Sequence, residues 1–195
     1  IESGLPSSCV QVIYDGVEIP PEISRADRDR ARAQFAIPLE SSCIGNVAAF
    51  VPEKGHAILL RAFAELRMKS RAQFPGCILL LFGEGPEQAH LQELARQLQV
   101  LDAVKFAGPV SEIQKVFAAM DVFAFPSHEE PLGSALLAAM AHGLPVAAIG
   151  RGGVPEVVQD GKNGLLVNSL DPDALAAVLA TLLANPEEAH RLRKA

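Results

Sequence analysis

The stretch Phe125-Pro-Ser-His-Glu-Glu-Pro-Leu-Gly-Ser-Ala-Leu-Leu-Ala-Ala-Met-Ala-His-Gly-Leu-Pro-Val-Ala-Ala-Ile149, continued by Gly150-Arg-Gly-Gly-Val-Pro-Glu156, decides how this chain is read. It leaves an apolar run, Val122 to Phe125, that reads as a buried strand. A polar turn follows with two acids, Glu129 and Glu130, and a helix opens near Gly133-Ser134. A second apolar run, Val146 to Ile149, reads as another buried strand. The helix start turns free backbone N–H groups and a positive dipole end toward the acids' own turn, which suits an anion. In an open parallel sheet this is the side on which ligands bind.

The same beat runs through the flanking sequence. Val10 to Tyr14 reads as a short strand, and Ser24 caps a charged helix from Arg25 to Phe35 that Pro38 closes. Cys43 to Phe50 reads as a strand, followed by the loop Val51-Pro-Glu-Lys-Gly55. Ile58, Leu59, Ala62, Phe63 and Leu66 then recur at helical spacing. Cys77 to Phe82 is apolar throughout, as a strand covered on both faces should be. After Gly83-Glu-Gly85, Pro86 is read as opening a helix that buries Leu91, Leu94, Ala95 and Leu98. Val104 to Ala107 reads as a strand, and Ser111 to Met120 as a helix. Beyond Glu156 come a turn at Asp160-Gly161, a strand at Leu165 to Val167 and a helix from Asp171-Pro172. Asn185-Pro186 is read as stopping that helix, leaving a charged tail. Strand, loop and helix alternating in this way imply an α/β fold, a doubly wound parallel sheet with helices on both faces. No repeat or linker divides the chain, so residues 1–195 read as one domain.

Composition agrees with a globular domain: 49% of the 195 residues are hydrophobic and 21% charged, enough for a substantial core. A formal net charge of −6 disfavours broad electrostatic binding to nucleic acid or an acidic membrane. Cys9, Cys43 and Cys77 have no metal-type spacing and no even count, and the latter two read as buried free thiols. No run reaches the roughly 18 apolar residues of a membrane span. The start, Ile1-Glu-Ser-Gly, has no signal-peptide character, and beginning on Ile it reads as a fragment of a longer chain. A cytoplasmic location is the expectation.

The strand ends carry Val51-Pro-Glu-Lys-Gly55, Gly83-Glu-Gly-Pro86, Ala107-Gly-Pro109, His128-Glu-Glu-Pro131 and Gly150-Arg-Gly-Gly153, all expected on one edge. Lys54 supplies a point charge suited to phosphate, and glycine permits close backbone approach. Neither a Gly-x-Gly-x-x-Gly nor a P-loop pattern is present.

In order, these motifs resemble the donor-binding, carboxyl-terminal half of a GT-B-fold retaining glycosyltransferase, in the group often called family 4. The resemblance covers nearly the whole chain. It is carried by Tyr14-Asp-Gly-Val-Glu18, Val51-Pro-Glu-Lys-Gly-His56, Leu81-Phe-Gly-Glu-Gly-Pro86, Val104-Lys-Phe-Ala-Gly108, Asp121-Val-Phe-Ala-Phe-Pro-Ser127, Ala138-Ala-Met-Ala-His-Gly-Leu-Pro-Val146 and Gly152-Gly-Val-Pro-Glu156. It implies a Rossmann-like sheet, with the amino-terminal acceptor domain lying outside this chain. It implies that Lys54 binds the donor diphosphate and that Pro109 and Val110 hold the nucleobase through backbone groups. It also implies that Glu130 lies beside the donor sugar as the catalytic acid of the motif. Backbone N–H groups of Leu132, Gly133, Ser134 and Ala135 are expected to face the phosphates. The implied substrate is a nucleoside diphosphate sugar, with no metal and no other cofactor. The acceptor is left open among glycan, lipid-linked sugar and small molecule, and any peripheral membrane contact is assigned to the other domain.

Two positions depart from the family pattern. The second glutamate of its Glu-x7-Glu motif, which grips the ribose, falls at Ala138, and a methyl group accepts no hydrogen bond. The arginine many relatives carry before the lysine loop falls at Ala49. The leading expectation is a hexose-transferring enzyme whose isolated domain binds nucleotide and transfers nothing. The alternatives are a degenerate binding or regulatory module, or a sugar-nucleotide epimerase of the same fold. For single residues the plainer readings are turn or cap roles: His142, Gly143 and Pro145 as structural, Glu156 as a helix-start acid, Asp15 as a turn residue. His128 is left between solvent and ligand.

Overall fold

The computed structural model describes residues 16–70 and 72–194. The strand expected at Val10 to Tyr14, the turn residue Asp15 and Cys9 lie outside these residues. Six strands form one sheet: β1 (Cys43–Val47), β2 (Ile78–Phe82), β3 (Val104–Phe106), β4 (Val122–Phe125), β5 (Val146–Ile149) and β6 (Leu165–Val167). Their order is β3-β2-β1-β4-β5-β6, and every pairing is parallel. The chain thus steps outward from β1 to β3, returns to the middle, and steps outward again on the other side.

That reversal sorts the helices between the two faces. Helices α2 (His56–Lys69) and α3 (Gln88–Gln97) join the first three strands and, with the later α7 (Pro172–Ala184), cover one face. The other face is covered by α1 (Arg25–Gln34), α4 (Ile113–Phe117), α5 (Ser134–Ala141) and α6 (Val154–Val157). A right-handed crossover permits only this arrangement when the direction of travel across the sheet changes. Strand β2 shows the consequence in its side chains. Leu79 and Leu81 enter the first core, while Ile78, Leu80 and Phe82 enter the second, and all five are buried. The doubly wound, Rossmann-like architecture is therefore as the alternating pattern implies.

Several element ends differ from the expectation. Strand β1 stops at Val47, not Phe50: Ala48 N–H makes a last bond to Phe82 O of β2 at 3.0 Å, and Phe50 N–H then bonds across the loops to Glu84 O at 2.9 Å. Phe50 is buried as a loop residue, a case that hydrophobicity alone reads as strand. Strand β3 ends at Phe106, one residue before Ala107. Helix α3 begins at Gln88, not at Pro86, and Leu98 is its half-buried C-cap. Helix α4 runs only to Phe117; bonds from Ala119 N–H to Val116 O and Met120 N–H to Phe117 O tighten its end into a three-residue turn. Asn185-Pro186 stops α7 as expected but also starts α8 (Pro186–Leu192), with the Asn185 side chain accepting from Glu188 N–H at 3.1 Å.

Below the sheet, at the amino end of β4, Asp121 ties α1 to the strands. It accepts from Arg32 at 2.7 Å, from Cys43 N–H at 2.7 Å and from Arg28. Arg32 is fully buried and also donates to the carbonyls of Pro38, Leu39 and Ser41. Cys43 and Cys77 are buried free thiols on opposite faces of the sheet. Burial raises both pKa values, that of Cys77 to about 12.

Candidate functional site

The sheet changes direction between β1 and β4, and there the ladder is short. Ile44 pairs with Val122 and Gly45 with Phe123, whereas β1 and β2 share five pairs. One step on, the Asn46 side chain replaces the ladder by donating to Ala124 O at 2.9 Å. The chains then part, and the loops after β1 and β4 face each other at the topological switch point, where open α/β sheets bind ligands. The two loops touch. Gly55 has φ +70°, and a Cβ there would stand 2.1 Å from Pro126 O. His128 N–H donates to Glu53 O at 3.0 Å.

Across this contact the two acid and base candidates meet. Lys54 ends a 3-10 turn (Pro52–Lys54), and its Nζ lies 2.5 Å from Glu130 Oε2. The Lys54 side chain is 26% exposed and that of Glu130 only 11%, so solvent screens the pair less than a surface one. Helix α5 begins three residues after Pro131. Its N-cap is Gly133, at φ +88°, and no side chain caps it. The N–H groups of Ser134 and Ala135 belong to the helix's first turn, where no carbonyl lies a turn before them to accept. Leu132 is half-buried beside them. One ammonium, one carboxylate and an uncapped helix start thus share one loop layer, as the sequence implied.

Pro109 and Val110 are placed differently. They line a cavity of about 250 Å³ with Phe35, Phe82, Ser111 and Lys115, and neither Lys54 nor Glu130 takes part in it. Ala138 lies one turn inside α5, half-buried. Its carbonyl accepts from His142 N–H at 3.1 Å and stands 2.7 Å from His142 Nδ1. A carbonyl only accepts, so the ring carries its proton on Nδ1. With its ring 5.0 Å from that of Phe117, His142 is built into the helix end, the structural role expected of it. Glu156 falls in the first turn of α6, also as expected.

Four neighbours of the pair stood in the quoted motifs without a role of their own. His56 is buried edge-on to Phe50, with ring centroids 4.8 Å apart. Burial, and then the charge of Lys54, lower its pKa to about 4, so the ring is neutral near pH 7. Ser127 is fully buried, and its hydroxyl has no partner among the described residues. Gly152 and Gly153, read as a strand-end loop and part of a motif, press against the backbone of Glu130 and Pro131. Their motifs mark them, but nothing in the sequence gives these contacts. Among the described residues there is no group of three or more metal-type side chains, and no helix is long and apolar enough to cross a membrane.

A sheet of this order is a doubly wound α/β domain, and its charged pair lies at the switch point where such domains bind ligands. The family described as Glycosyl transferases group 1 matches residues 27–195, and the chain belongs to it. It is 35% identical over 182 residues to a D-inositol 3-phosphate glycosyltransferase of Corynebacterium jeikeium, covering 89% of this chain and 43% of that protein. It is 34% identical over 194 residues to a GDP-mannose-dependent alpha-(1-6)-phosphatidylinositol monomannoside mannosyltransferase of Mycolicibacterium smegmatis, covering 94% of this chain and 50% of that one. The chain therefore spans about half the length of the curated relatives it matches. Among solved structures, Anabaena Alr3699/HepE in complex with UDP and glucose superposes with a TM-score of 0.87 at 28% identity, over 97% of this chain and 51% of that one. The fold is thus the Rossmann-like unit found in GT-B glycosyltransferases.

Proposed function

We propose that this chain binds a nucleoside diphosphate sugar at the β1/β4 switch point. On this reading it is the donor-binding part of a retaining, family 4 hexosyltransferase. The observation that carries the reading is the Lys54–Glu130 pair, 2.5 Å apart beside the uncapped start of α5. Lys54 takes the diphosphate, together with N–H groups from Leu132 to Ala135. As the bond to the sugar breaks, this lysine and the helix start offset the charge growing on the leaving diphosphate, with no metal in the scheme. Glu130 faces the donor sugar, and Pro109 and Val110 offer backbone groups to the base. The names of the relatives support the donor class: one is GDP-mannose-dependent, and the Anabaena protein was solved with UDP and glucose.

The pairing adds a physical condition. Lys54 cannot give its full charge to a diphosphate while Glu130 holds it, so donor binding and release of the Glu130 carboxylate are one event. The acceptor is held mainly by a further domain outside these residues, and the chain alone binds nucleotide without transferring sugar. Titration calorimetry with UDP, GDP and ADP tests the reading: one of the three should bind saturably, and binding of none would remove it. A second reading, a module that binds nucleotide sugars without transferring them, is favoured by Ala49 and Ala138. Nucleotide binding without transfer by the full-length protein would select it.

A further inference from the structure

Glu130 is held from a side that the donor-site reading does not use. Its carboxylate reaches Lys54 on the loop after β1, while its main chain is gripped by the loop after β5. Gly153 N–H donates to Glu130 O at 2.8 Å. The grip is close enough to exclude any side chain. A Cβ on Gly152 would lie 2.2 Å from Glu130 O, and one on Gly153 would lie 1.8 Å from Pro131 O. Gly152 also has φ +57°, a left-handed conformation that glycine adopts at least cost. His128 N–H, two residues before, is fixed to Glu53 O at 3.0 Å. The segment from His128 to Pro131 is thus pinned by loops from both neighbouring strands.

We propose that Gly153, with Gly152 beside it, is a positioning residue for Glu130: the loop after β5 holds the Glu130 main chain where its carboxylate meets the donor sugar. This rests on the donor-site reading above. The need for the clamp follows from the ion pair. While Lys54 is bound to Glu130, the side chain needs no other anchor. Once Lys54 passes to a diphosphate, only the main chain fixes where the carboxylate goes, and the Gly153 hydrogen bond is what fixes that main chain. A residue that only fills space would affect binding of the free nucleotide and of its sugar conjugate alike. The clamp on Glu130 acts on the sugar half, so the conjugate should lose more than the free nucleotide.

The test uses this chain and its Gly153→Ala variant, titrated with UDP and UDP-glucose and with GDP and GDP-mannose. Gly164→Ala is the control, because its Cβ would meet Val158 at 2.7 Å and touches neither loop of the site. Both variants should lose thermal stability. In Gly153→Ala alone, the affinity for the conjugate relative to that for the free diphosphate should fall about tenfold, the scale of one lost charge-assisted hydrogen bond. The ratio is the readout, because the new Cβ also meets Pro131 O beside the N–H groups assigned to the diphosphate. A ratio equal to the wild type's, or a parallel fall for nucleotide and conjugate, would overturn the positioning role. Should Gly153→Ala fail to fold, the Gly153 amide resonance of the wild type serves instead. It should move further with the conjugate than with the free diphosphate, and an equal shift with both would overturn the role. Absence of binding by the wild type would remove the donor-site reading, whereas an unchanged ratio with wild-type binding intact removes the clamp alone.

Discussion

Strand β4 has a carboxylate ion pair at each end, and the two are built to opposite specifications. At the amino end, Asp121 has Arg28, Arg32 and Cys43 N–H as partners, and Arg32 Nη1 also donates to three carbonyls. At the carboxyl end, the Glu130 carboxylate is paired with Lys54, and the helix start beside it has no cap. A multiply bonded network resists exchange, because every replacement loses several bonds at once. A pair with one shared hydrogen bond gives way to any ligand that matches it. The difference explains why one end of the strand holds the fold together and the other is open to chemistry.

The largest effect should come from the multiply bonded end. Asp121→Ala leaves the buried Arg32 guanidinium without its counter-charge and is expected to cost about 3–5 kcal/mol in urea unfolding. Nucleotide affinity per folded molecule should be unaltered. A loss below about 1 kcal/mol would erase the contrast between the two ends.

Next in size is a pH effect beneath the carboxyl-end site. His56 has a folded-state pKa near 4 against an ordinary 6.5. Below 6.5 the unfolded chain takes up a proton that the folded chain refuses until about pH 4, so stability is full above this window and falls as pH drops through it. Unfolding free energy should decrease by about 2–3 kcal/mol from this residue between about pH 7 and about pH 4.5. In His56→Phe that part of the slope should vanish; an unchanged slope would assign it elsewhere.

Smaller still is Glu130→Gln. Removing the charge that competes for Lys54 should tighten binding of the free diphosphate by about 1 kcal/mol, roughly fivefold, while abolishing transfer by the full-length protein. Weaker binding would mean that the pair is not exchangeable. Ala138→Glu should show the smallest change, a gain of about 0.7 kcal/mol or roughly threefold, if the ribose lies beside the second turn of α5. Unchanged affinity in calorimetry would move the ribose away from Ala138.

The sheet was legible because each buried strand is a short apolar run with turn residues after it, and Val122 to Phe125 and Val146 to Ile149 fall where the run implies. Ends failed where tertiary bonding overrides hydrophobicity. Phe50 is as apolar as any strand residue, but its N–H bonds to a neighbouring loop. Lys54 and Glu130 could be singled out from their motifs, yet not their direct bond, since 76 residues separate them and only the β3-to-β4 return brings them together. The grip of Gly152 and Gly153 on Glu130 was invisible for the same reason. Glycine in a loop announces backbone freedom without saying which backbone it approaches.

The central claim, that the Lys54–Glu130 pair marks a diphosphate site, is most directly tested by titrating the chain and its Lys54→Ala variant with UDP, GDP and ADP. One nucleotide should bind the wild type, and the folded variant should bind it about 1.5–3 kcal/mol more weakly, roughly tenfold to a hundredfold. Equal affinity in both proteins would contradict the claim.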